Sequence, residues 1–253
     1  MLPVLLTAIG VGGATVIGAL IGFAFKKIPH KMNDVLLAFA GGIMLAAATV
    51  GLVVPAIEMG GDFGLLFAVT GIFAGALFIS IIDRIVPHLH RLIDSGDRDI
   101  CASRSGNLNR VLLFVIAIGI HNLPEGIAAG VGFGTGEIGD AIVIALGIAL
   151  QNIPEGMIII APLLAAGVSA KKTFALAAAT GVVEVVGTFI GYFAVTVSTA
   201  ILPFALAFAG GTMLYVISDE MIPETHAHGA ERSATYSLLL GFCLMLTLDF
   251  FLG

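Results

Sequence analysis

Charged residues and cysteines are both scarce in this sequence. Of the 253 residues, 11% are charged and 58% are hydrophobic, and the mean hydropathy is +1.10. A soluble domain of this length needs more polar surface, so the composition excludes a soluble protein and predicts a membrane protein. The two cysteines, Cys101 in a polar stretch and Cys243 in an apolar one, are too few and too differently placed to indicate a disulfide framework or redox chemistry.

Eight apolar runs are each about 20 residues long, which is enough to cross a hydrocarbon core of roughly 30 Å. The first run lacks a small-residue cleavage site with a polar sequence after it, so we interpret it as a span and not as a removed signal. The sequence therefore predicts an all-α polytopic membrane protein with one transmembrane domain over residues 1–253. The predicted helices lie at about 3–25, 35–57, 63–86, 110–133, 139–162, 172–196, 200–222 and 233–252, with a cytoplasmic linker at about 88–109.

All lysines and arginines fall on one side of the predicted membrane. The connections on the other side carry the acidic residues Glu58, Asp62, Glu137 and Asp140 and no basic residue. By the positive-inside rule the basic side is cytoplasmic, so we expect both termini outside the cytoplasm of a protein in the cell membrane. The 11 basic residues are Lys26, Lys27, Lys31, Arg84, Arg91, Arg98, Arg104, Arg110, Lys171, Lys172 and Arg232.

Two short motifs recur at one distance along the chain. GALIGF at 18–23 matches GTFIGY at 187–192, and AFAGGIML at 38–45 matches AFAGGTML at 207–214, both displaced by 169 residues. Because an odd number of spans separates equivalent helices, the second copy enters the membrane from the opposite side. This predicts an inverted repeat, helices 1–3 against helices 6–8 around a central helix 4/5 pair, with a substrate site near the midplane. The alternative is chance recurrence of small-residue packing motifs.

A polar motif also occurs twice, inside two successive apolar runs. HNLPEG at 121–126 is followed by QNIPEG at 151–156, and Glu184 is the only ionisable residue of the next span. Positions i and i+4 share a helix face, so His121 and Glu125 can bind one cation. Ionisable groups in hydrocarbon are costly, so these residues indicate a functional site, although a protonated Glu bonded to a neighbouring helix is the structural alternative. Imidazole with carboxylate and amide oxygens favours divalent transition metals.

The prolines of the two motifs lack an amide hydrogen. The carbonyl groups of Ile120 and Leu150 therefore lose their usual donors, and we expect the helices to bend at Pro124 and Pro154. Such a bend exposes polar backbone beside the ligands.

The paired motifs, the glutamate in the next span and the eight predicted helices resemble the ZIP metal transporters, in particular the bacterial GufA-like branch. AFAGGIML in helix 2, VPHLH at 86–90 and SDEMIPETH at 218–226 extend the resemblance over nearly the whole chain. It implies alternating access, with helices 1, 4, 5 and 6 moving as a bundle against helices 2, 3, 7 and 8. It also implies a binuclear midplane metal site formed by His121, Asn122, Glu125, Gln151, Asn152, Glu155 and Glu184, with Met44 an additional soft ligand.

Two positions depart from the pattern of many ZIP relatives, which have His in place of Gln151 and in some cases Asp in place of Asn152. Glutamine binds more weakly than imidazole and is uncharged. The metal selectivity is therefore open to cadmium, manganese or iron(II) beside zinc. Asn152 removes one negative charge from the second metal position, which is expected to be weaker or only transiently occupied.

Further polar residues lie towards the ends of the predicted helices. The resemblance favours an exit path for several of those on the cytoplasmic side, but solvated loop histidines are an equal alternative. Asp249 either marks the outer entrance or, like Asp83, snorkels or pairs across helices. The path candidates are Asp83, His88, His90, Glu220, Glu224, His226 and Asp249.

The sequence thus predicts a divalent metal ion transporter, with zinc first, that moves ions into the cytoplasm. We expect no catalytic residues, no cofactor, no nucleic acid and, without a GxxxxGKS/T motif, no nucleotide. Ion gradients or the membrane potential must then drive transport, and a divalent charge gains about 4.6 kcal/mol per 100 mV. The expected partners are metal ions and the lipid bilayer, and the glycine-rich faces permit a homodimer. The alternative class is an intramembrane zinc metalloenzyme, against which the HExxH motif is missing.

Overall fold

The computed structural model describes residues 1–25, 29–85, 104–136 and 138–252, which are helical almost throughout. Apolar runs of this length form helices because hydrocarbon offers no partner for backbone N–H and C=O groups, which must pair within the segment. The long helices of the described ranges are α1 (Leu2–Ala24), α2 (His30–Met59), α3 (Gly64–Ile85), α4 (Arg104–Val131), α5 (Ile138–Ala165), α6 (Ala170–Val197), α7 (Leu202–Thr225) and α8 (Glu231–Leu252).

Most of these helices have the length and composition of membrane spans. Within the described residues, seven helices are long and apolar enough to cross a membrane. α4 is not among those seven; it has 28 residues and carries the HNLPEG motif. The chain is therefore a multi-pass α-helical membrane protein, which confirms the fold class predicted from composition.

Two predicted boundaries differ from those of the structure. α2 begins at His30, five residues before the predicted start, and α4 begins at Arg104, six residues before it. Residues 104–109 of the predicted linker at about 88–109 are part of α4, and residues 88–103 lie outside the described residues. Hydropathy marks where the chain leaves the hydrocarbon, whereas backbone hydrogen bonding continues a helix through polar residues into the interface.

α2 and α7 each contain a π-helical segment, in the middle of α2 and closer to the end of α7. The segments are Ala47–Val53 in α2 and Ile217–Met221 in α7, and each is followed, after one intervening residue, by a proline, Pro55 or Pro223. A proline has no N–H to donate, and widening the preceding turn accommodates its ring without ending the helix. Both helices therefore change their side-chain register at these segments.

The helices pack in two groups. α1 packs on α5 and α6 packs on α4, and a contact between α1 and α6 joins these pairs into one group. α2 packs on α8 and α7 packs on α3. The two groups meet where α2 lies against α5 and α7 lies against α4. This division matches the two sets of helices that the family resemblance implies.

Contacts in the first group recur at the offset of 169 residues. Gly12 of α1 approaches Gly181 of α6 so closely that a Cβ on either would collide with the other's carbonyl oxygen. Gly18 likewise approaches the carbonyl oxygen of Ile153, and its counterpart Gly187 approaches that of Leu123. Residues in equivalent positions of the two motif copies thus have equivalent neighbours, as a two-fold axis between α1 and α6 requires.

Candidate metal centre

Glu184 lies at the centre of a hydrogen-bond network that joins four helices. It is fully buried on α6, and its Oε1 accepts a 2.6 Å hydrogen bond from Oγ1 of Thr15 on α1. Asn122 of α4 donates its Nδ2 to the same oxygen, and Asn152 of α5 donates its Nδ2 to Oε2 at 2.6 Å. Three neutral donors therefore hold one carboxyl group inside the membrane, which offsets part of the cost of burying it.

Glu125 and Gln151 form the second contact of the network. Gln151 Nε2 on α5 donates to Glu125 Oε1 on α4 at 2.9 Å, and neither residue is more than 1% exposed. The two HNLPEG and QNIPEG segments therefore face each other, although 26 residues separate these side chains. Because glutamine offers both a donor and an acceptor, its donor pairs with the carboxylate and its oxygen remains available.

Four oxygen atoms of this network have no hydrogen-bond donor. They are Oδ1 of Asn122, Oε2 of Glu125, Oε1 of Gln151 and Oδ1 of Asn152, and all four are inaccessible to solvent. Leaving a buried acceptor unpaired costs about 1–3 kcal/mol, so most buried polar atoms in proteins have partners. A cation placed among these oxygens would satisfy several of them at once. These residues could therefore hold a cation.

His121 and Glu155 complete the cluster on the side towards α7. His121 Nε2 lies 3.0 Å from Oε1 of Glu220, and these side chains are 12% and 19% exposed. Glu155 is half-buried and interacts electrostatically with His121 and with the carboxyl groups of Glu125 and Glu184. His121 and Glu125 lie one turn apart on α4 but have different partners in this conformation. His121 contacts α7, and Glu125 contacts α5.

The glycine that ends each motif determines how closely the ligand helices approach. A Cβ on Gly126 would collide with the carbonyl oxygen of Glu184, and a Cβ on Gly156 would collide with that of Thr15. Only glycine permits these backbone contacts. Glu125 and Glu155 each precede such a glycine, so both carboxyl groups are brought against the α1–α6 crossing that carries Thr15 and Glu184.

Amide side chains are essential to this cluster. Within the described ranges, no group of three His, Cys, Asp or Glu side chains is arranged to hold a metal ion. The carboxyl groups are instead linked by Asn122, Gln151 and Asn152, all of them buried. Met44 of α2 is also buried, within the main hydrophobic core.

The same chain matches known proteins over most of its length. Residues 94–249 match a family model described as ZIP zinc transporter. The chain belongs to the ZIP family. It is 40% identical over 248 residues to the zinc transporter GufA of Myxococcus xanthus, with 96% of each chain covered. It is 35% identical to the zinc transporter ZIPB of Bordetella bronchiseptica (95% of this chain, 78% of the relative) and 32% identical to the zinc transporter ZIP11 of Xenopus tropicalis (99% and 98%). The resemblance seen in the motifs is confirmed.

On the Glu220 side of this ZIP chain, the structure describes only some of the predicted path residues. Glu220 reaches the site through His121, and Glu224 is half-buried one turn later on α7. Both nitrogens of His226 have local partners, because Nδ1 lies 2.8 Å from the Ile222 carbonyl oxygen and Nε2 lies 3.3 Å from Thr235 Oγ1. The Asp83 side chain, His88 and His90 lie outside the described residues.

At the opposite end of the ZIP bundle, Asp249 is half-buried near the end of α8. Its carboxyl group interacts electrostatically with that of Asp140 in the first turn of α5. A close approach of Gly139 to the carbonyl oxygen of Leu252 holds these two helix ends together. Two carboxyl groups thus lie together at the end of the bundle where α5 begins.

Sequence reasoning did not identify two features of this ZIP structure. Thr15 was not predicted as part of the site, although its position, 169 residues before Glu184, was a signal available in the repeat. Asp34, which is 0% exposed on α2, was not singled out either. Its signal was weaker, since a charged residue near a helix start is usually solvated.

Proposed function

We propose that this ZIP chain transports a divalent metal ion, zinc first, across the cell membrane through the cluster around Glu125 and Glu184. The observation that carries the proposal is the set of four buried oxygens without a donor, on Asn122, Glu125, Gln151 and Asn152. Buried oxygen acceptors of this kind can coordinate a metal ion. The relatives are named zinc transporters.

The donor types suggest two neighbouring ion positions. The first position uses His121, Glu125, Gln151 and Glu155, which combine one imidazole with carboxylate and amide oxygens. The second uses the amide oxygens of Asn122 and Asn152 with Glu184, and shares the carboxyl groups of Glu125 and Glu155; Met44 is an additional soft ligand. The second position is the weaker one, because in this conformation both oxygens of Glu184 already accept hydrogen bonds from Thr15 and the two asparagines.

The packing of the helices in two groups supports transport by alternating access. The ligands lie on α4, α5 and α6, whereas Glu220 lies on α7 in the other group. The 3.0 Å contact between His121 and Glu220 crosses the boundary between the groups, so an ion that takes His121 as a ligand breaks it. We infer that ion binding loosens this boundary and lets the α1, α4, α5, α6 group move.

The proposed direction of transport and the proposed ion path are inferred from the distribution of charged residues. The distribution of basic residues supports an orientation with the Glu220 side at the cytoplasm and both termini outside, in which ions enter past Asp249 and leave past Glu220 and Glu224. Asp83, His88 and His90 lie on the same cytoplasmic side in the sequence and are assigned to the exit. A homodimer through glycine-rich faces remains compatible with this arrangement and is not required by it.

Ion selectivity is set mainly by the first position. Gln151 replaces an imidazole with an amide, which lowers the preference for zinc and admits cadmium, iron(II) and manganese. Neither ATP nor another cofactor takes part, so an ion gradient or the membrane potential drives the ion inwards. The alternative of an intramembrane zinc metalloenzyme is set aside, since the family and the relatives carry transporter names.

The test is uptake of zinc, cadmium, manganese and iron(II) into sealed proteoliposomes. We compare the wild type with Glu125→Gln and Glu155→Gln, and use Glu58→Gln, at an exposed position on α2, as the matched control. Saturable uptake should fall at least tenfold in the two site variants and stay within twofold in the control. Uptake that survives in both folded site variants would show that ions take another route. Metal binding without any uptake by the wild type would reject the transport proposal.

A further inference from the structure

A second polar cluster lies at the start of α2, on the side of the bundle where α7 ends. Asp34 is 0% exposed, and its Oδ1 lies 3.1 Å from Nδ1 of His228 in the connection between α7 and α8. The other carboxyl oxygen, Oδ2, is equally inaccessible and has no hydrogen-bond partner. A buried carboxyl group with one free oxygen is costly to maintain, so it calls for an explanation.

His30 brings a second imidazole to this cluster. It lies four residues before Asp34, so both residues face the same side of α2. The His30 ring stacks on the His228 ring, with centroids 5.2 Å apart and an angle of 25° between the planes. Gly229, with a φ of +79°, makes the turn that directs His228 back towards α2. One buried carboxylate and two partly exposed imidazoles therefore lie together.

Holding the connection in place does not by itself account for the buried carboxyl group. Ser237 of α8 already donates a 2.7 Å hydrogen bond to the carbonyl oxygen of Val35, and α8 packs along α2. A neutral asparagine at position 34 could accept from His228 equally well without leaving a charge in the protein interior. The ionisable group is better explained by a cation that it binds.

We propose that Asp34, His228 and His30 form a separate binding site for a divalent metal ion of the zinc type. A carboxylate with two imidazoles is a common zinc ligand set, and a water molecule can complete four-coordination. In the described conformation these three side chains are not arranged to hold a metal ion, since the two rings stack, so His30 must turn about its side-chain torsions when the ion binds. The site is therefore weaker than one whose ligands are preformed.

The position of the site suggests its use. α7, which carries Glu220 and Glu224, ends in a segment that packs on α2 beside Asp34. An ion released past these carboxyl groups meets the cluster next, and a weak site with exposed imidazoles can pass it to the solvent. This use rests on the proposed transport function, whereas the binding of an ion at Asp34 does not.

The experiment measures zinc bound per chain by equilibrium dialysis of the full-length protein in detergent. A background variant with Glu125→Gln, Glu155→Gln and Glu184→Gln removes the midplane site. Asp34→Asn or His228→Gln is then added, and His226→Gln serves as the matched control because both of its nitrogens already have local partners. Since His228 is exposed, its substitution keeps the test valid if Asp34→Asn fails to fold.

We expect the background variant to retain one zinc ion per chain, and expect that ion to be lost on adding Asp34→Asn or His228→Gln but not His226→Gln. With Co²⁺ as the probe, the visible absorption of an imidazole-ligated ion should disappear in the same two variants. A background variant that binds no zinc, or an ion that survives both substitutions, would overturn the proposal and leave Asp34 as an anchor only. The proposed function is judged separately, by uptake through Glu125, so the two failures are distinguishable.

Discussion

The hydroxyl group of Thr15 donates a 2.6 Å hydrogen bond to Oε1 of Glu184, a residue that follows it by 169 positions. This is the same offset that relates the two motif pairs of the sequence. The two side chains therefore occupy equivalent positions in the two copies and meet where α1 crosses α6. One copy supplies the carboxyl group of the site, and the other supplies a donor that holds it.

Replacing Thr15 with valine should weaken the site without changing its shape. The variant leaves Glu184 buried with one donor fewer, which should lower the free energy of unfolding by about 1–3 kcal/mol. Zinc uptake should fall several-fold, because the carboxyl group is less well oriented. Thr15→Ser, which keeps the hydroxyl group, should retain most of the uptake; loss in Thr15→Ser but not in Thr15→Val would indicate that the methyl group matters and the hydroxyl group does not. Thermal unfolding and proteoliposome uptake measure the two effects.

Gly126→Ala and Gly156→Ala should both destabilise the protein. Each new methyl group meets a backbone carbonyl oxygen on α6 or α1, and overpacking of this kind costs about 1–3 kcal/mol. The matched control is Gly13→Ala on α1, where a Cβ meets nothing within 4 Å. This control should be neutral or stabilising by roughly 0.5–1 kcal/mol, because alanine favours a helix more than glycine does. Similar thermal unfolding of all three variants would contradict the close packing described above.

Gln151→His should narrow the range of transported ions. An imidazole in place of the amide raises the affinity of the first position for zinc more than for manganese. We expect the ratio of zinc uptake to manganese uptake to increase at least fivefold, as measured by competition between the two ions in proteoliposomes. Gln151→Glu is the control, since it adds charge without nitrogen. A ratio that does not change in Gln151→His would place the determinant of selectivity elsewhere.

Zinc binding should release protons and weaken as the pH falls. His121 must leave Glu220 and present a neutral imidazole, and the carboxyl groups must be ionised, before they act as ligands. Calorimetry in two buffers with different heats of ionisation counts the protons released per ion. The count should decrease in Glu155→Gln, which has one carboxyl group fewer, and stay unchanged in Glu58→Gln. A count of zero for the wild type would mean that the ligands are already deprotonated in the free protein.

Much of the site could be predicted from the sequence because its residues lie in repeated local motifs. The spacing of HNLPEG and QNIPEG on successive helices was sufficient to single out Glu125, Gln151 and Asn152, which the structure brings together. The pairing of Thr15 with Glu184 could also have been predicted, because the two residues are separated by the same 169 positions as the repeated motifs. The contact of His121 with Glu220 could not, because Glu220 lies within the π-helical segment of α7, where side-chain directions depart from regular α-helical spacing.

The sequence by itself determined that the chain crosses a membrane many times and that polar groups lie inside it, because hydropathy and backbone hydrogen bonding are local properties of each segment. It also determined the family, through short motifs such as HNLPEG in α4 and QNIPEG in α5. Only the tertiary structure decided which partner each polar side chain has. Asp34 meets His228, which follows it by 194 positions along the chain, and Glu184 meets three donors from three other helices. Such contacts depend on how whole helices are rotated and how closely they approach each other. Glycines and prolines affect this packing, and no local sequence pattern determines the resulting distances.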